Sequence, residues 1–179
     1  MSQQTEDLTL LKIKAILRDL SQKENFLCEK RLVYEFAKLL EQSGYSIFLE
    51  YPIKHGSKYM YEDIRVEAPN GIFVFEIKYC PSNIYVTHGS MSAYSRYRSS
   101  ISKRIQNFIQ DVKRTQQTIK SDSLLKGGFC IFLTNQKGII NGINQCLDKL
   151  CKDLTLEPFN QCKNKSKELS FIILCFNKS

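Results

Sequence analysis

The sequence predicts a single α/β domain, a central mixed β-sheet with helices packed against it, and three observations predict it. Stretches with one apolar helical face alternate along the chain with strand-like runs. Three of those runs follow one helix across short turns, as an antiparallel meander does. Two runs, Ile72–Phe75 and Phe129–Thr134, are apolar at consecutive positions, the pattern of strands covered on both faces.

The elements follow in order. Leu8–Leu20 sets Leu10, Ile13, Ile16, Leu17 and Leu20 on one helical face, with Thr5 and Asp7 as cap residues, to pack on the core or on another subunit. Ser21–Asn25 interrupts it. A second helix runs from about Phe26 to Ser43 and stops at Gly44. Its apolar direction is set by Leu32, Val33, Phe36, Leu39 and Leu40, and Glu29 falls near the middle of that face. An acid there either uses the helix N-terminal dipole and reaches water, or converges with other acids inside. Tyr45–Tyr51 is a strand ended by Pro52-Ile53, and Lys54–Lys58 is a loop. Met60–Glu67 and Gly71–Tyr79 form a hairpin about Pro69-Asn70-Gly71. Cys80–Ser100 carries no hydrophobic period and reads as a functional loop or lid, or a polar surface loop. A helix over Ser100–Lys120, a strand after Gly127-Gly128, a helix over Gly138–Lys152, a polar loop over Asn160–Glu168 and a closing strand Leu169–Phe176 complete the chain. The expected organisation is one domain: an N-terminal helix extension to residue 25, a core over 26–135, and a C-terminal helix and strand over 136–179.

Composition narrows the function classes. The chain has 179 residues and a formal net charge of +8, long enough for a substantial core. No apolar run approaches the roughly 20 residues needed to cross a bilayer, so no membrane association is expected. Met1–Asp7 is polar and acidic, unlike a secretory signal. Seven scattered cysteines without a Cys-x-x-Cys pair, beside only two histidines, read as reduced thiols rather than disulfides or a zinc site. A cytoplasmic location is the expectation. Between Pro81 and Lys126 eight basic residues stand against Asp111 and Asp122. That excess suits a polyanion, nucleic acid above all, or else a solvated helix face. Tyr94, Arg96, Tyr97 and Arg98 interleave side chains that can stack on bases and pair with phosphates, and Lys103 and Arg114 extend the basic character along the next helix.

The chemistry concentrates at the second strand of the hairpin. Its apolar run breaks at Glu76 and Lys78, which alternation places on one face, and Asp63 stands across the turn. Buried charges of this kind are costly unless paired or metal-bound.

The order of a helix with inward Glu29, a strand, a strand with Asp63, a turn, a strand with Glu76-Ile77-Lys78, then an amphipathic helix and a strand ending in Leu133-Thr134-Asn135 resembles the PD-(D/E)XK nuclease superfamily. The resemblance covers roughly Glu29–Asn135 and implies a restriction-endonuclease-like core of αβββαβ order. The motif's proline is absent, since Glu62 precedes Asp63; Glu62 is a spare acid of second rank. Asp63 and Glu76 as close carboxylates make an oxygen site for Mg²⁺ or Mn²⁺. The resemblance adds the Ile77 backbone carbonyl as a ligand, Lys78 as the group that orients or helps deprotonate the water and stabilises charge, and Glu29 as an outer ligand or partner of a second ion. It implies a metal-dependent nuclease acting on phosphodiesters, DNA first, of restriction, repair or defence type. The other reading is a non-catalytic nucleic-acid-binding or assembly module on a degenerate nuclease fold, with Glu76 and Lys78 as an ion pair only. A homodimer is also considered, with the N-terminal helix as its candidate interface.

Changing Arg96 and Arg98 together to alanine should weaken nucleic-acid binding and reduce the log–log salt slope by about 0.9 for each phosphate no longer neutralised, measured by fluorescence anisotropy across a salt series. An unchanged slope would return this segment to a plain surface role.

Overall fold

The computed structural model describes residues 6–23, 28–55, 57–80, 84–88, 91–95, 101–134, 136–150, 155–164 and 167–177. Two helices open the order, α1 (Leu10–Lys23) and α2 (Glu29–Gln42), followed by strands β1 (Ser46–His55), β2 (Lys58–Ala68) and β3 (Gly71–Tyr79). A hairpin of β4 (Ile84–His88) and β5 (Met91–Ser95) precedes α3 (Ile101–Ser121), β6 (Leu125–Thr134), α4 (Lys137–Leu150), β7 (Thr155–Asn164) and β8 (Lys167–Asn177).

The two apolar runs are central neighbours. Six strands form one sheet in the order β1-β2-β3-β6-β8-β7, in which β3 and β6 run parallel and every other pair is antiparallel. Both faces of β3 and β6 are covered. On one face Phe73, Phe75, Ile77, Phe129 and Ile131 pack with Ile13, Leu17, Leu32 and Phe36 of α1 and α2. On the other, Val74, Cys130 and Phe132 pack with Phe108, Val112 and Ile119 of α3 and Ile139 and Ile143 of α4. This three-layer arrangement explains why those strands lack alternation. The apolar face of α1, with Ile13, Ile16, Leu17 and Leu20, packs into the chain's own core. The turn of the β2–β3 hairpin anchors the segment before α1: Asn70 accepts the Leu8 N–H at 3.0 Å and its amide donates to the Leu8 carbonyl at 2.9 Å.

Several expectations need correction. β1 runs through Pro52 to His55, so 54–55 are strand rather than loop. Proline is tolerated because β1 is the sheet's edge, where one side of the ladder is unpaired. α2 begins at Glu29, which puts that acid in the first turn. The segment read as a loop after Cys80 contains the two-stranded β4–β5 sheet, which is separate from the main sheet. A short isolated hairpin needs no continuous apolar stripe, so it leaves little periodic signal. Of the stretch read as a polar loop, Asn160–Glu168, residues 160–164 belong to strand β7 at the far edge of the sheet and 167–168 open β8. Gly127 and Gly128 lie inside β6 rather than before it. A Cβ on Gly128 would stand 2.7 Å from Val74 Cγ2 and 2.9 Å from Ile119 Cδ1. Glycine at this position is what lets α3 approach the sheet closely. The thiols of Cys80 and Cys130 are buried and free, as expected of reduced core cysteines, whereas Cys28 is exposed.

Gly128→Ala should therefore lower unfolding stability by about 1–3 kcal/mol, read as a reduced denaturant midpoint. A stability unchanged from wild type would show that α3 can shift without loss.

Candidate active site

Pairing between β2 and β3 stops at Ile64↔Phe75, while β3 continues beside β6 to Tyr79↔Leu133. From Glu76 onward β3 thus has a free edge toward β2. The Ile77 N–H on that edge donates to the Asp63 carboxylate at 2.7 Å, in place of a main-chain acceptor. Asp63 can turn this way because the β1–β2 ladder skips it and its opposite number, Glu50. Glu50 adopts φ 48, a left-handed conformation that costs a non-glycine residue roughly 1–2 kcal/mol.

Around this edge three carboxylates, Glu29, Glu76 and Asp111, share two cations. Glu76 is buried, its side chain 6% exposed, and meets Lys78 Nζ at 3.1 Å and Arg114 Nη2 at 2.7 Å. Lys78 Nζ also lies 3.4 Å from Glu29 and 3.6 Å from Asp111. Asp111 closes the ring by pairing with Arg114 at 3.1 Å. Glu29, brought in at the first turn of α2, takes the Tyr79 N–H at 3.0 Å with its second oxygen and so ties the helix to the end of β3. The strand end is fixed from the other side as well. The Cys80 N–H donates to the Leu133 carbonyl at 2.9 Å, and the Cys80 carbonyl accepts from Thr134 Oγ1 at 2.7 Å.

Asp63 makes no ion pair among the described residues, and its electrostatics differ accordingly. Burial, then the Glu76 charge, push its carboxyl up to about 7, against the pull of the Ile77 N–H and Lys78. Burial works to lower the pKa of Lys78, but the surrounding carboxylates of Glu76, Glu29 and Asp111 more than reverse it, so Lys78 is an ammonium at neutral pH. Burial likewise raises Asp111, partly opposed by Lys78.

Of the residues singled out in the sequence, Glu29, Asp63, Glu76, Ile77 and Lys78 come together here. Arg114, expected on the solvent side of its helix, turns inward to Glu76 instead. Asp111 was not anticipated; its signal was its i,i+3 spacing from Arg114 beside the apolar stripe of Phe108 and Val112. Glu62 is not a spare acid for the cluster. Both its oxygens are committed to Arg65, at 2.9 and 3.3 Å, and Arg65 goes on to Asp122 at 2.9 Å and over the Tyr51 ring at 4.0 Å. Lys103 is exposed on the first turns of α3. Tyr94 lies in β5 opposite Tyr85, and Arg96, Tyr97 and Arg98 fall outside the described residues.

The donor set suits a hard divalent ion. Burial and the Glu76 charge raise the cost of ionising Asp63, which a cation would relieve. Among the described residues no group of three or more His, Cys, Asp or Glu side chains is arranged to hold a metal. Mg²⁺ needs fewer, being held by one or two carboxylates together with waters and substrate phosphates.

A family model described as the nuclease-related domain (NERD) matches residues 24–132, a span that includes every member of this cluster. Comparison with curated proteins and with solved structures gives no match.

The raised Asp63 pKa sets a pH signature. The folded chain holds a proton on Asp63 that the unfolded chain releases near pH 4, so metal-free stability falls as pH rises from about 4 to about 7. Asp63→Asn, which mimics the protonated form, should stabilise the metal-free protein by about 2–4 kcal/mol at pH 7.5 and hardly at all at pH 4. Denaturation midpoints across that range measure it, and a parallel offset at all pH values would be the contrary result.

Proposed function

Since the chain belongs to the nuclease-related domain family, within the PD-(D/E)XK superfamily and its restriction-endonuclease-like fold, we propose that it is a metal-dependent nuclease that hydrolyses phosphodiester bonds in DNA. The observation that carries this reading is the juxtaposition of Asp63, its carboxyl pushed up to about 7, with the buried Glu76 on the edge of β3. Asp63, Glu76 and the Ile77 carbonyl would hold Mg²⁺ or Mn²⁺. Bound there, the ion neutralises phosphoryl charge and makes water a better nucleophile.

The chain's own residues account for the remaining requirements. Lys78, locked by three carboxylates, presents an ammonium of fixed position, suited to orient the attacking water and stabilise charge on the phosphoryl oxygens. Because it stays protonated, orientation and charge stabilisation are its roles rather than proton abstraction. Glu29 and Asp111 hold Lys78, and Arg114 holds Glu76, so all three are positioning residues. The net charge of +8 supports a polyanionic substrate.

One observation favours a second reading, a nucleic-acid-binding module without catalysis: Glu76 already has two cationic partners and is neutralised without a metal. The two readings separate in one experiment. Linear, supercoiled, single-stranded and branched substrates would be incubated with and without Mg²⁺ or Mn²⁺, beside thermal melts of the same samples. For the nuclease, the ion raises the melting temperature and cleavage appears, while Glu76→Gln and Lys78→Ala each cut the rate by about 10²-fold or more with DNA binding retained. Glutamine is preferred at the buried position because it keeps the volume of Glu76. Binding without any ion-dependent shift or cleavage would select the second reading.

A further inference from the structure

Beside the ion cluster, between the start of α2, the end of β3 and α3, lies a cleft of about 380 Å³. That is at the lower end of the range for small-ligand sites, roughly 300–1,000 Å³. Tyr79, Cys80 and Phe132 line its floor at the strand ends, with the Tyr79 and Phe132 side chains buried in the core. The floor is rigid, since the Cys80 main chain is held at both its N–H and its carbonyl.

Two cations border the cleft. Lys78 stands on the cluster side, where Glu29 and Asp111 also line the wall but are already engaged with it. Arg104 of α3 is only 8% exposed and close enough to Cys80 for its charge to act on the thiol. Asn107 and Gln110, further along the same helix, are of another kind. They are exposed where they line the cleft, and neither side chain makes a hydrogen bond among the described residues. Two uncommitted carboxamides thus face a concave site that opens directly onto the proposed catalytic lysine.

We propose that this cleft is a nucleotide subsite, which takes one unstacked nucleotide adjoining the scissile phosphate. Its phosphates would lie toward Lys78 and Arg104 and its base edge against Asn107 and Gln110. Carboxamides offer a donor and an acceptor together, the complement of a base edge, whereas phosphates call for the flanking cations. A base within a continuous duplex cannot enter such a cleft without leaving the stack. The substrate class that fits is single-stranded, gapped or frayed DNA rather than intact duplex. The choice of nucleic acid rests on the nuclease reading, but the subsite can be tested apart from it.

Calorimetric titration with dAMP in Mg²⁺, which involves no cleavage, reads the cleft directly. Wild type should bind dAMP, and the double variant Asn107→Ala/Gln110→Ala should bind it roughly tenfold or more weakly, with an unchanged Mg²⁺-induced melting shift. In cleavage assays wild type should prefer single-stranded or gapped DNA, and the double variant should lose that preference. Equal dAMP affinity in the two proteins, or no binding by wild type at millimolar dAMP, overturns the subsite. If ion-dependent cleavage persists in that case, the nuclease reading stands without it. If cleavage and the Mg²⁺ shift are both absent while dAMP binding still depends on the two carboxamides, the subsite stands and the nuclease reading falls.

Discussion

The free edge of β3 is the constraint on which the rest of the structure depends. Once β2 leaves it after Ile64↔Phe75, the Ile77 and Tyr79 N–H groups need acceptors, and buried donors left unpaired are costly. The chain supplies carboxylates: Asp63 to Ile77, and Glu29 to Tyr79. Main-chain satisfaction and assembly of an acidic cluster are therefore the same event. With Glu76 already on the strand, the acids must be balanced, and Lys78 and Arg114 do so in part. Asp63 is left partly uncompensated, and its raised pKa is the record of that.

Tertiary packing decides how many charges reach this edge. α3 approaches the sheet closely because Gly128 on β6 has no side chain to hold it off. That approach brings Asp111 and Arg114 within reach of Lys78 and Glu76. The same close packing leaves Arg104, Asn107 and Gln110 overhanging the cleft at the strand ends. Ligand sites in sheets with parallel strands gather at the carboxyl ends of those strands. The parallel pair β3 and β6 ends here, at Tyr79↔Leu133.

Ion pairing in this cluster does not argue for stability by itself, because desolvation offsets much of the attraction between buried charges. Charged side chains from α2, β2, β3 and α3 are gathered where a hydrophobic edge would have packed more simply. Retaining them makes sense if their charge is used. The contrast with Glu62, Arg65 and Asp122 is instructive: that network saturates itself, with both Glu62 oxygens on one guanidinium, and lines no large cleft among the described residues. Asp63, by comparison, has no ionic partner among the described residues and stands next to another acid.

Much of the fold and four of the six charged members of the cluster were legible along the chain. Consecutive apolar residues in β3 and β6 marked the strands covered on both faces, and the break at Glu76 and Lys78 marked the place where that pattern yields to chemistry. Asp63 and Glu29 followed from spacing and from an acid on an apolar helix face. Local patterns report such things because side-chain alternation and helical period are properties of the chain itself. The extension of β1 through Pro52 was not legible, since tolerance of proline depends on β1 being an edge, and an edge exists only once the sheet is assembled. Nor were the inward turn of Arg114, the arrival of Asp111 or the diversion of Glu62 to Arg65. Each depends on the distance between α3 and β3, or on where β2 parts from β3. Those are set by packing across layers, so the sequence determined which residues could form the site, and the tertiary structure decided which of them meet.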